Sequence, residues 1–168
     1  RDALAELIQR ERGKKGPVAK FVNIGSVDLS RANLDSLDLS DLRFRGANLS
    51  RSVCHGTNFR KTVLDRSDMR DSLLYRANLS FVQMYEVDLR RSLIIEAPAY
   101  ELTGGNVRFD GSKIWGVNFL HSRLDGATFD ACRLSGAKSH EGPDAKVHVA
   151  SSFGVTDLIG ASFRQCIL

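Results

Sequence analysis

Cysteine, histidine and carboxylate side chains are the groups of this chain that could perform chemistry, and their spacing indicates no familiar site. The three cysteines lie far apart: Cys54, Cys132 and Cys166. The four histidines are scattered without the short spacings of a metal site: His55, His121, His140 and His148. Carboxylates are numerous, but they recur at regular intervals that hide any catalytic pair. We therefore expect no enzymatic activity, no metal and no cofactor.

Length and composition are those of one globular domain. The chain has 168 residues, of which 42% are hydrophobic, and a formal net charge of +4. It contains no long apolar run, so we expect no membrane span, and its weak positive charge does not indicate a nucleic-acid partner. It starts with a charged segment unlike a signal peptide, and a repeat pattern continues to Leu168. We interpret it as a piece of a longer protein with adjacent domains.

Large apolar residues recur at every fifth position, as in RANLDSLDLSDLRFRGANLS at residues 31–50. Of the 23 such positions from Ile24 to Leu134, only Ala99 and Gly104 are not a large apolar residue or Cys. A helix requires spacings of three and four, and a strand requires alternation. A fixed period of this length indicates a solenoid.

A second column of small residues lies two positions before the first. From Val22 to Ala137 it holds Val, Ala, Ser, Thr or Cys at 21 of 24 positions. Asn or Asp recurs between the columns, as at Asn33 and Asp38, so the repeated word is A-(N/D)-L-x-x. With this word the chain resembles the pentapeptide-repeat proteins from Val22 to Leu168.

The resemblance implies an all-β fold, a right-handed quadrilateral parallel β-helix. Four words form one square coil, and about seven coils form a rod. The large and the small column point inward, while the other three positions of each word face solvent. One large and one small side chain per side fit such a narrow tube. We assign residues 18–168 to this β-helix.

Residues 1–17 lie outside the repeat. Apolar residues at helical spacing from Ala3 to Ile8 predict a short N-terminal helix. Because the end of a solenoid exposes core and open strand edges, we expect this helix to be a cap. The alternative is that it binds a partner.

Two further segments depart from the pattern. Residues 96–105 keep the period but lose the large inward residues, and a proline and two glycines predict a bulged side there. Residues 139–151 interrupt the period, and the inward column resumes at Phe153, one residue out of phase. A loop insertion near 139–151 explains the shift.

All three cysteines fall on inward columns, where a thiol behaves as a small apolar residue. A catalytic cysteine would need exposure and a neighbouring base. Unpaired inward cysteines predict a reducing compartment, which is the bacterial cytoplasm or, after secretion, the host cytosol.

One outer face is apolar where solvent-facing residues are expected. Residues twenty apart stack on one face, and two neighbouring columns supply six large side chains: Val53, Leu73, Tyr75, Leu93, Ile95 and Trp115. The next face round carries Phe81, Tyr100 and Leu120. Contiguous apolar patches with aromatic residues generally mark interaction surfaces. We expect a protein partner here, the alternative being that an adjacent domain or the 96–105 segment covers the face.

A second column is charged and holds Arg31, Arg51, Asp71 and Arg91. Alternating signs favour a solvated surface of mutually paired side chains over a track for phosphates.

Three functional classes follow, and a non-catalytic protein–protein interaction platform is the favoured one. Such β-helices occur in secreted bacterial effectors, and the chain is similar in architecture to the β-helix domain of HECT-like E3 ubiquitin-ligase effectors, which implies substrate recognition and a host protein as partner. None of that family's catalytic residues maps onto this chain. The alternative is a DNA mimic that inhibits or protects topoisomerase, but mimicry needs an acidic rod and the pI here is about 9.2. An enzyme is the third class, and thin coils leave it no pocket.

Overall fold

The computed structural model describes residues 2–13, 22–135, 137–138, 148–149 and 156–167. These ranges contain one helix followed by ten short strands, most of which pair in parallel. The helix α1 spans Asp2–Gly13. The strands are β1 Val22–Asn23, β2 Leu42–Arg43, β3 Leu73–Tyr75, β4 Leu93–Ile95, β5 Thr103–Gly105, β6 Lys113–Trp115, β7 Arg123–Asp125, β8 Arg133–Ser135, β9 Ala137–Lys138 and β10 His148–Val149.

The ladder repeats every twenty residues, as a coil of four words requires. Leu73 pairs with Leu93, and Leu93 pairs with Lys113, both in parallel. Isolated bridges give the same offset on another face, as between Asn58 and Asn78. The chain is a right-handed quadrilateral β-helix, and the predicted fold class is confirmed.

Two inward columns form the core of the tube. In the large column, side chains such as Leu49, Leu89 and Phe129 are almost completely buried. In the small column, Ser52 and Ala77 are buried as well. The predicted inward direction of both columns is therefore confirmed, and each side of a coil contributes one large and one small residue to the packing.

Each corner is a tight turn that begins at the large inward residue. The carbonyl oxygen of Leu34 accepts a hydrogen bond from the N–H of Leu37 at 3.1 Å. The third residue of the turn adopts the left-handed backbone region, with φ from 50° to 61° at 17 non-glycine residues of the described ranges. None of the 17 is Val, Ile or Thr, because branching at Cβ is the most strained choice in that region. The outward positions are thus restricted by the backbone as well as by solvent.

The Asn or Asp before the inward residue closes the turn with its side chain. Oδ1 of Asn33 accepts a hydrogen bond from the N–H of Asp35 at 2.9 Å, and Oδ1 of Asn78 accepts one from the N–H of Ser80 at 3.0 Å. This is an Asx turn, in which the side chain satisfies a backbone donor two residues on. The regular rows of Asn and Asp therefore have a structural origin.

All six three-residue strands lie in words without this Asn or Asp, although other such words, as at Val63 and Gln83, form only isolated bridges. The first residues of the six strands are Leu73, Leu93, Thr103, Lys113, Arg123 and Arg133. In these strands the ladder extends one residue past the inward position, as in the pairing of Tyr75 with Ile95. Four of these strands, β3, β4, β6 and β8, form one continuous parallel sheet.

Hydroxyl groups of the small column satisfy carbonyl oxygens inside the tube. Oγ1 of Thr57 donates to the carbonyl oxygen of Leu34 at 2.8 Å, and Oγ of Ser112 donates to that of Leu89 at 2.7 Å. Each bond reaches 23 residues back to the preceding coil. Because an unpaired buried hydroxyl costs about 1–3 kcal/mol, these bonds stabilise Thr57 and Ser112 in the core. The hydroxyl of Ser67, in the same column, is buried without a partner among the described residues.

Helix α1 lies against the N-terminal part of the solenoid. Its Leu4 and Ile8 are buried and belong to the same cluster as Leu34 and Leu39. This packing supports the interpretation as a cap. The predicted boundary between residues 17 and 18 lies outside the described residues.

The segment 96–105 is regular, so the predicted bulge is wrong. Pro98 forms a parallel bridge with Asn118, and Thr103–Gly105 is strand β5, paired in register with β7. Gly104 takes the inward position without leaving space, because a Cβ there would lie 2.7 Å from Cγ2 of Val107 and 3.1 Å from Cγ of Met84. Neighbouring side chains thus fill the volume that a large residue occupies elsewhere.

The last described coil follows a longer connection. Arg123 bridges Asp157 and Arg133 bridges Ile167, an offset of 34 residues where other coils have 20, so that 14 additional residues lie between. Strands β9 and β10 pair in antiparallel within this connection. Most of the predicted loop insertion, and Phe153, lie outside the described residues. Beyond it, the ring of Phe163 stacks on that of Phe129, with centroids 4.7 Å apart.

Candidate protein-binding surface

The six predicted apolar residues lie together: five are on the four-stranded sheet, and Val53 extends it by a bridge to Leu73. Val53, Leu73 and Leu93 follow one another in one ladder column. Tyr75, Ile95 and Trp115 form the adjacent column. We call this set, Val53, Leu73, Tyr75, Leu93, Ile95 and Trp115, the apolar face.

Leu73 is the most exposed member of the apolar face, at 43%, and the other five are half-buried. Strands in a ladder are about 4.8 Å apart, so each large side chain covers part of its neighbours. The ring of His55 meets the ring of Tyr75 edge-on, with centroids 4.9 Å apart. The guanidinium of Arg76 lies over the ring of Tyr75, 4.9 Å from its centroid. These contacts hold Tyr75 in place.

Polar groups border the apolar face. Arg76 donates to Glu96 at 2.8 Å along one corner, and Lys113 continues the Leu73–Leu93 column with a positive charge. Nε1 of Trp115 is buried and has no hydrogen-bond partner among the described residues. An apolar centre with a polar rim is the usual composition of a protein interface.

The neighbouring faces carry fewer large side chains. Phe81 and Tyr100 meet edge-on, with centroids 5.4 Å apart, and Arg60 lies 4.7 Å from the centroid of Phe81. Tyr85, 45% exposed, was not predicted as a surface aromatic. It lies beside Gly105, where a Cβ would be 3.2 Å from its ring. Gly105 is twenty residues after Tyr85 and has no side chain to cover the ring. The exposure of Tyr85 could therefore have been predicted from the sequence.

The charged column is paired in part. Two guanidinium nitrogens of Arg91 donate to the two carboxylate oxygens of Asp71, each at 2.8 Å. These hydrogen bonds lower the pKa of Asp71. Arg70 is likewise hydrogen-bonded to Asp68. Mutual pairing is thus confirmed for Asp71 and Arg91.

The prediction of mutually paired side chains is wrong for Arg31 and Arg51. Neither forms an ion pair with any carboxylate in the described part of the chain. Asp71, twenty residues on from Arg51, accepts its guanidinium hydrogen bonds from Arg91 instead.

The thiols lack the environment of a nucleophile. Burial raises the pKa of Cys54 to about 11 and that of Cys132 to about 12. The thiol of Cys132 donates to the carbonyl oxygen of Phe109 at 2.9 Å, and Cys166, which is half-buried, donates likewise to that of Phe129. A raised pKa keeps the thiol protonated at neutral pH, and the thiolate is the reactive form.

The histidine side chains that the structure describes do not converge on one place. His55 and His121 are exposed on different faces, His148 lies in strand β10, and His140 lies outside the described residues. Among the residues that the structure describes, no three His, Cys, Asp or Glu side chains are placed to share a metal ion. No helix in that part of the chain is both long and apolar enough for a membrane span.

Comparison with known proteins identifies the repeat. The sequence profile described as Pentapeptide repeats matches in eight copies, at residues 21–51, 28–66, 52–91 and 105–138. No curated protein gives a match.

Three solved structures are similar at low identity. HetL, a pentapeptide repeat protein involved in heterocyst differentiation regulation from the cyanobacterium Nostoc sp. strain PCC 7120, is 14% identical with a TM-score of 0.39, over 97% of this chain and 93% of that chain. A trypsin-treated form of QnrB1, a plasmid-mediated fluoroquinolone resistance protein, is 11% identical with a TM-score of 0.44, over 84% and 81%. A pentapeptide repeat protein from the Arabidopsis thaliana thylakoid lumen is 23% identical with a TM-score of 0.33, over 72% and 77%. These likenesses are too distant to carry a function across.

Proposed function

Because this chain belongs to the pentapeptide-repeat family, we propose that it is a non-catalytic protein-binding platform that contacts its partner through the apolar face. The observation that carries the proposal is the alignment of six large side chains in two in-register columns of one parallel ladder. Their backbone is fixed by the ladder, so little conformational entropy is lost when a partner binds.

The composition of the apolar face supports this function. Tyr75 and Trp115 are aromatic, and aromatic residues dominate the binding energy of protein interfaces. Leu73 exposes a large apolar side chain on the same strand as Tyr75. The Arg76–Glu96 pair at the border can orient a partner without being buried.

The test is quantitative affinity enrichment from bacterial and eukaryotic lysates with three forms of the protein. The double variant Tyr75→Ala/Trp115→Ala removes both aromatic residues of the apolar face. Tyr85→Ala is the matched control, because it truncates an exposed tyrosine at the same position of the repeat on another face. We expect proteins captured by the wild type and by Tyr85→Ala to be lost from the double variant. Unchanged capture by a double variant with native circular dichroism would contradict the proposal.

Covering of the apolar face by an adjacent domain is the alternative. In that case, Tyr75 and Trp115 become protected from radical labelling when the flanking sequence is included in the expressed protein. The same labelling on a mixture with a captured partner shows protection only when that partner is present. The two outcomes distinguish an intramolecular contact from an intermolecular one.

The more specific hypothesis is that the platform is the recognition domain of a bacterial effector such as a HECT-like E3 ubiquitin ligase, with a host protein as partner in a reducing cytosol. It is supported by the architectural resemblance alone. The coding sequence on both sides of residues 1–168 tests it: a ligase domain beside this one supports the hypothesis, and neighbouring domains of another kind contradict it.

Topoisomerase inhibition or protection by DNA mimicry is the other candidate, and the charge distribution disfavours it. A DNA mimic must present regularly spaced negative charge, whereas the net charge is +4 and the charged column begins with two arginines. A DNA gyrase supercoiling assay tests it, and we expect no inhibition and no protection from quinolones.

A further inference from the structure

A concave part of the surface lies next to Arg31 and Arg51, on a different face from the apolar face. It has a volume of about 300 Å³, and its lining includes four arginines, Arg31, Arg51, Arg70 and Arg91, together with Ser50 and Asp71. We call it the arginine groove. Four guanidinium groups against one carboxylate give its lining a net charge of +3.

The carboxylates near the arginine groove are already used by other side chains. Both carboxylate oxygens of Asp71 accept a hydrogen bond from the guanidinium of Arg91, at 2.8 Å each. Asp68, beside the groove, accepts from the backbone N–H and the guanidinium of Arg70. Arg31 and Arg51 therefore remain the two guanidinium groups of the groove without an ion pair to the described residues.

The backbone places Arg31 and Arg51 directly above one another. Both take the left-handed position of a turn, with φ of 58° and 59°. Their N–H groups donate to carbonyl oxygens of the next coil, Arg31 to Ser50 at 2.9 Å and Arg51 to Arg70 at 2.8 Å. Equivalent positions in adjacent coils are about 4.8 Å apart, so two like charges start from neighbouring points of a rigid frame. Two arginines kept this close, with no ion pair of their own and with Asp71 bonded to Arg91, are suited to an anion that can accept from both.

We propose that the arginine groove is a binding site for a phosphate dianion, held between the guanidinium groups of Arg31 and Arg51. A tetrahedral dianion offers each guanidinium a pair of oxygens and balances two positive charges, whereas a single carboxylate balances only one. The same chemistry describes inorganic phosphate and a phosphomonoester on a larger molecule. The site is independent of the apolar face and does not rest on the proposed function.

Isothermal titration calorimetry at constant ionic strength tests the site, with inorganic phosphate, phosphoserine, sulfate and acetate as probes. We expect saturable binding of one phosphate or sulfate, and much weaker binding of acetate. Phosphoserine that binds more tightly than inorganic phosphate indicates a phosphomonoester as the ligand, and the reverse order indicates the free ion. Absence of saturation up to about 20 mM phosphate, far above the ~1 mM scale of weak binding, overturns the proposal, as does acetate that binds as tightly as phosphate.

Charge-removing variants locate the site. Arg31→Gln and Arg51→Gln should each weaken phosphate binding by about tenfold or more, since a hydrogen bond to a charged group is lost. Lys61→Gln is the matched control: Lys61 is exposed on another face at the same left-handed turn position, with φ of 60°, so the change in net charge and backbone context is the same. We expect less than about a twofold effect for the control. Equal weakening in all three variants would show that only the net charge matters and would overturn the site.

The pH dependence of phosphoserine binding distinguishes a site for a dianion from non-specific attraction of anions to a positive surface. The arginines of the groove stay charged, and hydrogen bonds from Arg91 keep the pKa of Asp71 below its ordinary value, so it stays ionised above pH 5. Asp28 and Asp68 on the same side have lowered pKa values too, through hydrogen bonds from Ser30 and from Arg70. A phosphomonoester gains its second charge near pH 6. The affinity for phosphoserine should rise about fourfold from pH 5.5 to 7.5, while the affinity for sulfate stays constant. Parallel changes for both anions would contradict the proposal that the groove binds the dianion.

Discussion

Truncation of Phe129 should damage the C-terminal coils selectively. Its ring is completely buried between two parallel rings, those of Phe109 at 4.6 Å and Phe163 at 4.7 Å between centroids. Phe119 meets it edge-on at 6.4 Å. Phe129 is thus the central member of an aromatic stack that joins three successive coils.

The magnitude follows from these contacts. Phe to Ala in a protein core costs about 3–5 kcal/mol of unfolding free energy. Each stacked pair contributes about 0.5–1.5 kcal/mol beyond area burial, so we expect Phe129→Ala to lie near the upper end, at about 4–5 kcal/mol. Phe129→Leu keeps the inward apolar residue of the repeat and loses only the stacking and some volume, so about 1.5 kcal/mol is expected.

Urea unfolding and amide hydrogen exchange together measure the effect. In a solenoid each coil contacts only its neighbours, so destabilisation should be local. The N–H groups of Asp157, Ser162 and Ile167, which donate to carbonyl oxygens of the preceding coil, should lose most protection in Phe129→Ala. Those of Asn58 and Asn78, several coils away, should retain it.

Phe59→Ala is the matched control, because Phe59 is equally buried in the same inward column nearer the N-terminus. It should reduce protection around Asn58 and Asn78 more than around Ser162. If Phe129→Ala costs less than about 1.5 kcal/mol, or if both variants lower protection uniformly along the rod, then the coils do not stack as independent layers joined by inward rings.

Three smaller perturbations test other parts of the fold. Lys61→Val should lower the free energy of unfolding by about 1–2 kcal/mol, because a β-branched residue is strained at φ of 60°. Lys61→Gly should change it little. Equal urea midpoints for the two variants would show that the turn relaxes. Asn78→Ala should lower the free energy of unfolding by about 1 kcal/mol, because it removes the acceptor of the Ser80 N–H. Asn78→Asp keeps an acceptor and should retain most of that stability. Equal losses for the two variants would exclude the Asx turn as the cause. Burial raises the pKa of Cys54 to about 11 in the folded state, so its contribution to stability is complete below pH ~9 and is lost as pH rises through about 11, by up to ~3 kcal/mol. Cys54→Ala should therefore flatten the alkaline fall of unfolding free energy measured by urea titration, and identical slopes would show that the thiol ionises without unfolding.

The period of the sequence was sufficient to predict the solenoid and its inward columns. A five-residue spacing admits no helix and no flat sheet, so Leu49, Leu89 and Phe129 could be placed in the core. A count of twenty residues likewise predicts that Leu73 and Leu93 are neighbours, as the parallel ladder shows.

What the sequence did not reveal depends on contacts between columns. The bulge predicted at 96–105 was wrong, since Gly104 looks like a gap in its own column but is filled by Val107 and Met84 from others. The pairing of Asp71 with Arg91 rather than with Arg51 depends on side-chain geometry that alternating signs cannot specify. Which words become strands was also missed: an Asn or Asp before the inward residue excludes a three-residue strand, but its absence, as at Val63, does not ensure one.

The parallel ladder makes the rod mechanically anisotropic. Its backbone hydrogen bonds, such as that from Asn78 to Thr57, point along the long axis from coil to coil. Tension applied between the two ends thus loads one layer of bonds at a time, and the rod should peel open stepwise. A coil of twenty residues releases about 63 Å of chain, at ~3.4 Å per residue less the ~4.8 Å it occupied. The last described coil, with its 14 additional residues, should release a visibly longer step and so reveal from which end peeling starts.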